Sequence, residues 1–108
     1  MASKVNIVMD QGATFNTTYT FFDQSNSAID FTTYTAASQM RKSYYSTDAY
    51  NFTVSLANNG VVSIGMSANN TTLLCPGRYL YDLEVTDING VKSRLVEGIV
   101  TVTGEITR

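Results

Sequence analysis

There is no histidine and no tryptophan in this chain, only one cysteine and one proline, and among 108 residues just seven Lys/Arg and nine Asp/Glu. Without histidine the side chain most used for general acid and base chemistry, and the commonest metal ligand, is missing. A single cysteine makes neither an internal disulfide nor a thiolate zinc site. The sequence therefore predicts no catalytic residue, no cofactor and no bound metal, and a melting temperature that chelators leave unchanged. The basic residues Lys4, Arg41, Lys42, Arg78, Lys92, Arg94 and Arg108 are scattered through a chain of net charge −2, which offers no positive stripe for a nucleic-acid backbone. No apolar run approaches the roughly 18 residues that span a bilayer, and the opening Met1–Val5 does not begin a secretory signal. Neither a nucleic acid nor a membrane is expected as partner, and synthesis in the cytoplasm is.

What is abundant is Thr, Val, Ile, Tyr and Phe, with apolar residues recurring at every second position, the period of a half-buried strand. Residues 1–108 are long enough for one domain, and scaling predicts that about 65% of the unfolded surface is buried on folding. Lys4–Met9 reads as a first strand closed by Gly12. Ala13–Phe22 follows, with Phe15, Thr17, Tyr19 and Phe21 on the buried face. A turn at residues 23–27 leads to the extended piece Ala28–Phe31. Tyr34–Tyr44 places Tyr34, Ala36, Ser38 and Met40 on one face and Gln39 and Arg41 on the other. Phe52, Val54 and Leu56, then Asn58-Asn59-Gly60, then Val62, Ile64 and Met66 spell a β-hairpin. Residues 67–74 break the alternation and allow at most one helical turn. Tyr79, Tyr81, Leu83 and Val85 share a face, Asp87-Ile88-Asn89-Gly90 turns, and Val91–Thr103 returns, with Gly98 marking a bulge or the close approach of another backbone. The expected fold is all-β, an immunoglobulin-like antiparallel β-sandwich of seven or eight strands, with Phe15, Tyr19, Phe21, Met40, Phe52, Val54, Ile64, Leu83 and Val85 inside.

The residues able to carry chemistry read better as structure. Asp82, Glu84 and Asp87 group carboxylates as a hard cation requires, but exposed acids on a strand and its turn are ordinarily solvated. Arg41 and Lys42 beside Tyr44-Tyr45 suggest a stacking rim, yet a solvent-facing strand end accounts for them. Cys75 has no histidine to activate it and is expected buried or packed in a loop. The sequons at Asn16, Asn51, Asn69 and Asn70 matter only in a secreted eukaryotic protein. Seven tyrosines in a charge-poor chain point to a protein that works by being contacted.

The segments "QGATFNTTYTFFDQSN", "TTYTAASQMRKSY" and "GRYLYDLEVTDINGVKSRLVEGIVTVTGEITR" resemble the small immunoglobulin-like virion proteins of tailed bacteriophages, the cyanophage type in particular, and the N-terminal domain of the phage baseplate upper protein family. The positions carrying the resemblance are Gln11, Gly12, Phe15, Phe22 and Asp23, then Tyr34, Ala36, Gln39, Met40 and Arg41, then Gly77, Tyr79, Tyr81, Asp82, Gly98, Val100 and Val102. Baseplate upper proteins resemble an N-terminal anchor followed by a stalk, and here the chain ends at Arg108. What the resemblance implies is a non-enzymatic virion structural protein, a capsid decoration protein bound in many copies to the major capsid protein. The alternatives are a tail, baseplate or fibre-attachment adaptor and a host-surface or glycan-binding module, the last requiring two or three outward tyrosines on one face. Self-association is also open. Attachment is expected through loops, tyrosine contacts and the termini, since Lys4–Met9 and Ile99–Thr103 are candidates for sheet edges where another chain adds.

Overall fold

The structure, a computed structural model, describes residues 3–23, 25–43, 46 and 48–104. In chain order the described residues form strands β1 (Ser3–Lys4), β2 (Ile7–Asp10), β3 (Phe15–Thr20), β4 (Thr35–Arg41), β5 (Tyr50–Asn51), β6 (Thr53–Leu56) and β7 (Val61–Met66). The short helix α1 (Ala68–Thr71) and the long strands β8 (Gly77–Thr86) and β9 (Lys92–Thr103) follow. They make a two-layer sandwich. Sheet A runs β1-β9-β8-β4-β5 with β2 also paired to β9, and sheet B runs β3-β7-β6. The chain changes sheets along both borders, from β2 to β3 on one side and from β5 to β6 on the other.

The period-two pattern is what builds the core. Tyr79, Tyr81, Leu83 and Val85 of β8, Ser38 and Met40 of β4, and Val96, Val100 and Val102 of β9 are buried on the inner face of sheet A. Val62, Ile64 and Met66 of β7 meet them from sheet B. Phe31 and Leu74, from the connections, close the two ends, each about 1% exposed. Of the side chains expected inside, Met40, Phe52, Ile64, Leu83 and Val85 are buried, whereas Phe15, Tyr19, Phe21 and Val54 are half-buried and pack against the rest. All four lie on or beside the border strands of the three-stranded sheet, where a strand is covered on fewer sides than a central one.

The hairpin forms where Asn58-Asn59-Gly60 places it: Leu56 pairs with Val62, Ala57 N–H donates to the Val61 carbonyl at 3.1 Å, and Gly60 takes φ +79°. A Cβ at Gly60 would strike the Phe21 carbonyl oxygen, so glycine is needed there both for conformation and for space. The interruption at 67–74 is one helical turn, capped by Ser67 and pinned by buried Thr71, whose hydroxyl donates to the Ala13 carbonyl at 2.8 Å.

Three expectations need correction. The sandwich is not wholly antiparallel, because β1 and β2 both run parallel to β9, with Ser3 opposite Val96 and Ile7 opposite Val100. The first strand is split at Val5–Asn6, where the Asn6 side-chain oxygen takes the Ile99 N–H at 3.1 Å. Consequently Ile99–Thr103 is no sheet edge: β8 covers one side and β2 the other. Gly98 answers to close approach rather than to a bulge. A Cβ there would collide with the Val5 carbonyl, while the register shift lies between Leu83 and Glu84 and leaves Leu95 as the extra residue of β9.

Candidate interaction surfaces

Side chains that alternate away from the core give the two sheets very different outer faces. On sheet A the outward residues of β4, β8 and β9 line a shallow groove of about 580 Å³. Arg94 spans it, with Nε 3.5 Å from Asp82 and Nη1 3.2 Å from Glu97. Partial burial, reinforced by neighbouring Glu84, raises the Asp82 carboxyl above the ordinary carboxylate value, with Arg94 pulling the other way. The cation is thus spent on neutralising the acids around it. Arg41 is half-buried and likewise occupied, donating to the Ser46 carbonyl at 2.6 Å and to the Gln39 side-chain oxygen at 3.2 Å.

The carboxylates of Asp82, Glu84 and Asp87 do not converge on one point. Asp82 and Glu84 sit side by side on β8, but Asp87 closes the β8–β9 turn, its Oδ1 accepting the Asn89 and Val91 N–H groups at 2.9 Å each. Among the described residues no three His, Cys, Asp or Glu side chains are grouped so as to hold a metal ion. Lys42 lies over the Tyr79 ring, 4.4 Å from its centroid, while Tyr44 and Tyr45 fall outside the described residues. Cys75 is exposed rather than buried, in the loop after α1, and its backbone is gripped by Tyr79, whose hydroxyl donates to the Cys75 carbonyl at 2.8 Å.

The described tyrosines do not supply the contact surface that composition suggests. Tyr79 and Tyr81 are buried, and Tyr19, Tyr34 and Tyr50 are half-buried, so no described tyrosine is exposed as a glycan-stacking platform requires. Their hydroxyls are used internally: Tyr81 donates to the Val5 carbonyl at 2.6 Å and lies 2.9 Å from the Tyr19 hydroxyl.

The outer face of sheet B was not singled out by sequence reasoning. Its three strands, FNTTYT, TVSL and VVSIGM, contain no charged residue; outward they present Asn16, Thr18, Thr20, Thr53, Ser55 and Ser63. The signal was available, since nothing from residue 49 to residue 77 is charged. Five large apolar side chains are exposed among the described residues: Val8 on β2, Leu73 just after α1, and Phe22, Ile88 and Val91 in loops. Phe22, Ile88 and Val91 are 59%, 76% and 59% exposed, and they share one end of the sandwich, where the 21–34 connection, the Asn58–Gly60 hairpin and the β8–β9 turn come together.

No protein-family model matches the chain, and no curated protein matches it. Among solved structures it is similar to a family 123 glycoside hydrolase from Clostridium perfringens, at 14% identity and a TM-score of 0.45 over 97% of this chain and 24% of that one. It is also similar to an internalin-like protein of Listeria monocytogenes, at 11% identity and a TM-score of 0.49 over 94% of this chain and 28% of that one. The chain spans about a quarter of the length of these two proteins.

Proposed function

We propose that this chain is a non-enzymatic virion structural module of a tailed bacteriophage, a decoration protein attached in many copies to the major capsid protein. The observation that carries the attachment reading is the loop end bearing Phe22, Ile88 and Val91. Three of the five large apolar side chains exposed among the described residues lie in the loops of this end, an arrangement that suits a protein partner. The resemblance of residues 11–26, 32–44 and 77–108 to small phage virion proteins supplies the kind of particle. The absence of histidine from the chain and the engagement of Arg41, Arg94 and Asp87 in local structure support a contact role over a chemical one. A stable attachment of this kind buries on the order of 800 Å² per partner.

Quantitative mass spectrometry of purified particles tests the reading. Hundreds of copies per particle are expected. A handful per particle moves the assignment to the baseplate or a fibre attachment, and absence from particles overturns it. With the wild type incorporated, Ile88→Asp combined with Phe22→Asp should lower its occupancy on particles, since charge at the centre of an apolar contact is desolvated without a partner.

A further inference from the structure

The borders of the two sheets are protected unequally. In sheet A the β1–β2 border is broken at Val5–Asn6, and β5 is two residues long. In sheet B the β6 border is tied at both flanks, with Phe52 N–H donating to the Ser38 carbonyl at 2.9 Å and Phe31 N–H to the Ala57 carbonyl at 3.3 Å. The remaining border, β3, runs six residues in unbroken register with β7 and has no other strand neighbour among the described residues. It carries none of the devices that blunt an edge, neither charge, proline nor bulge.

Its open hydrogen-bonding groups can be identified. Phe21 N–H donates to the Gly60 carbonyl at 2.9 Å and the Phe21 carbonyl accepts from Ile29 at 3.4 Å, so the odd-numbered residues point their backbone groups toward β7. By the alternation of an antiparallel ladder, Asn16, Thr18 and Thr20 turn theirs to the open side. Along the same border Phe15, Tyr19 and Phe21 are left half-buried.

We propose that β3 is a homodimerisation edge, pairing antiparallel with β3 of a second copy about a two-fold axis at Thr18. This register sets Asn16 opposite Thr20, Thr18 opposite itself, and, on the inner face, Phe15 opposite Phe21 and Thr17 opposite Tyr19. A second copy fits better than an unrelated peptide for three reasons. Its β3 is already an ordered, extended strand, so pairing costs no folding of a partner segment. The neutral strand meets no like charge across the axis, where like charges directly opposite are unfavourable. The two-fold aligns aromatic rings with one another and covers surface that the monomer leaves half-exposed. The product is a continuous six-stranded sheet B with no charged side chain. This inference is independent of the attachment surface, which lies in the loops at one end.

Sedimentation over a concentration series up to about 1 mM tests it, a range suited to a small and therefore weak interface. Mass should rise from 11.8 kDa to twice that; a chain that stays monomeric throughout overturns the proposal. Thr18→Lys, and separately Asn16→Lys with Thr20→Lys, should hold the chain monomeric with an unchanged circular dichroism spectrum. Asn16→Lys with Thr20→Glu places opposite charges across the axis and should restore the doubled mass. If the like-charged and opposite-charged double variants dimerise equally, the contact lies elsewhere. Independently of any variant, the Asn16, Thr18 and Thr20 amides should gain hydrogen-exchange protection with concentration while Thr17 and Tyr19 are protected throughout. Protection that does not vary with concentration overturns the assignment.

Discussion

Tyr81 is the side chain through which the two sheets and the N-terminal strand are joined. Its hydroxyl donates to the Val5 carbonyl, at the break between β1 and β2, and lies 2.9 Å from the Tyr19 hydroxyl on sheet B. Burial pushes the Tyr81 hydroxyl well above the ordinary phenol value, and Tyr19 adds to the shift. Inside a sandwich a hydroxyl is tolerated only if its partners are satisfied, so each partner depends on this one oxygen. Tyr81→Phe should destabilise the protein by about 1–3 kcal/mol, since it leaves the Val5 carbonyl without this donor and the Tyr19 hydroxyl without its mate. Tyr19→Phe should cost less, because Tyr81 keeps its bond to Val5. Urea unfolding of the three proteins gives the order, and equal midpoints for wild type and Tyr81→Phe would show the network to be energetically idle.

At the scale of elements, the decisive contact is the passage of Val5 across Gly98. The Val5 N–H donates to the Glu97 carbonyl at 3.0 Å, and a Cβ on Gly98 would occupy the place of the Val5 carbonyl. Gly98→Ala should therefore cost about 1–3 kcal/mol, as overpacking does, and should loosen β1 and β2 selectively, seen as faster hydrogen exchange at Val5 and Met9, whose N–H groups face β9, than at the β4–β8 amides. Uniform exchange across the sheet would contradict this. Alternation in the sequence disclosed nearly every strand here, together with the Asn58–Gly60 hairpin and the single turn of α1, because side-chain period and turn chemistry are local. It did not disclose that β2 pairs in parallel with β9, since Ile7 and Val100 are brought together by packing alone and parallel pairing leaves no turn signal. Nor does alternation give depth: Phe15 and Tyr19 have the pattern of core residues, but on a border strand they are only half covered. The contact surface was less legible still. Tyrosine content suggested an outer surface, whereas the hydroxyls of Tyr19, Tyr79 and Tyr81 all have partners within the molecule.

For the molecule as a whole, the buried phenols dictate how stability responds to base. Burial raises the hydroxyls of Tyr19, Tyr79 and Tyr81 above the ordinary value of 10.0, with hydrogen bonds lowering the first two in part. A folded state whose groups bind protons more tightly than the unfolded chain keeps that contribution in full below about pH 10 and loses it as pH rises through the folded-state values, because only unfolding releases the protons. The protein should thus hold constant stability, as far as these groups contribute, from neutral pH to about pH 10, and unfold cooperatively above it. Tyrosinate absorbance from these three side chains should emerge together with loss of the β-sheet circular dichroism signal, as one transition. Tyr81→Phe alters both terms: it removes one raised phenol, which reduces the steepness of the alkaline loss, and it lowers overall stability, which moves the midpoint to lower pH. If instead all the phenols of the wild type ionise in a single step near pH 10 with the β signal intact, the three hydroxyls are open to solvent and the sandwich is not closed around Tyr81.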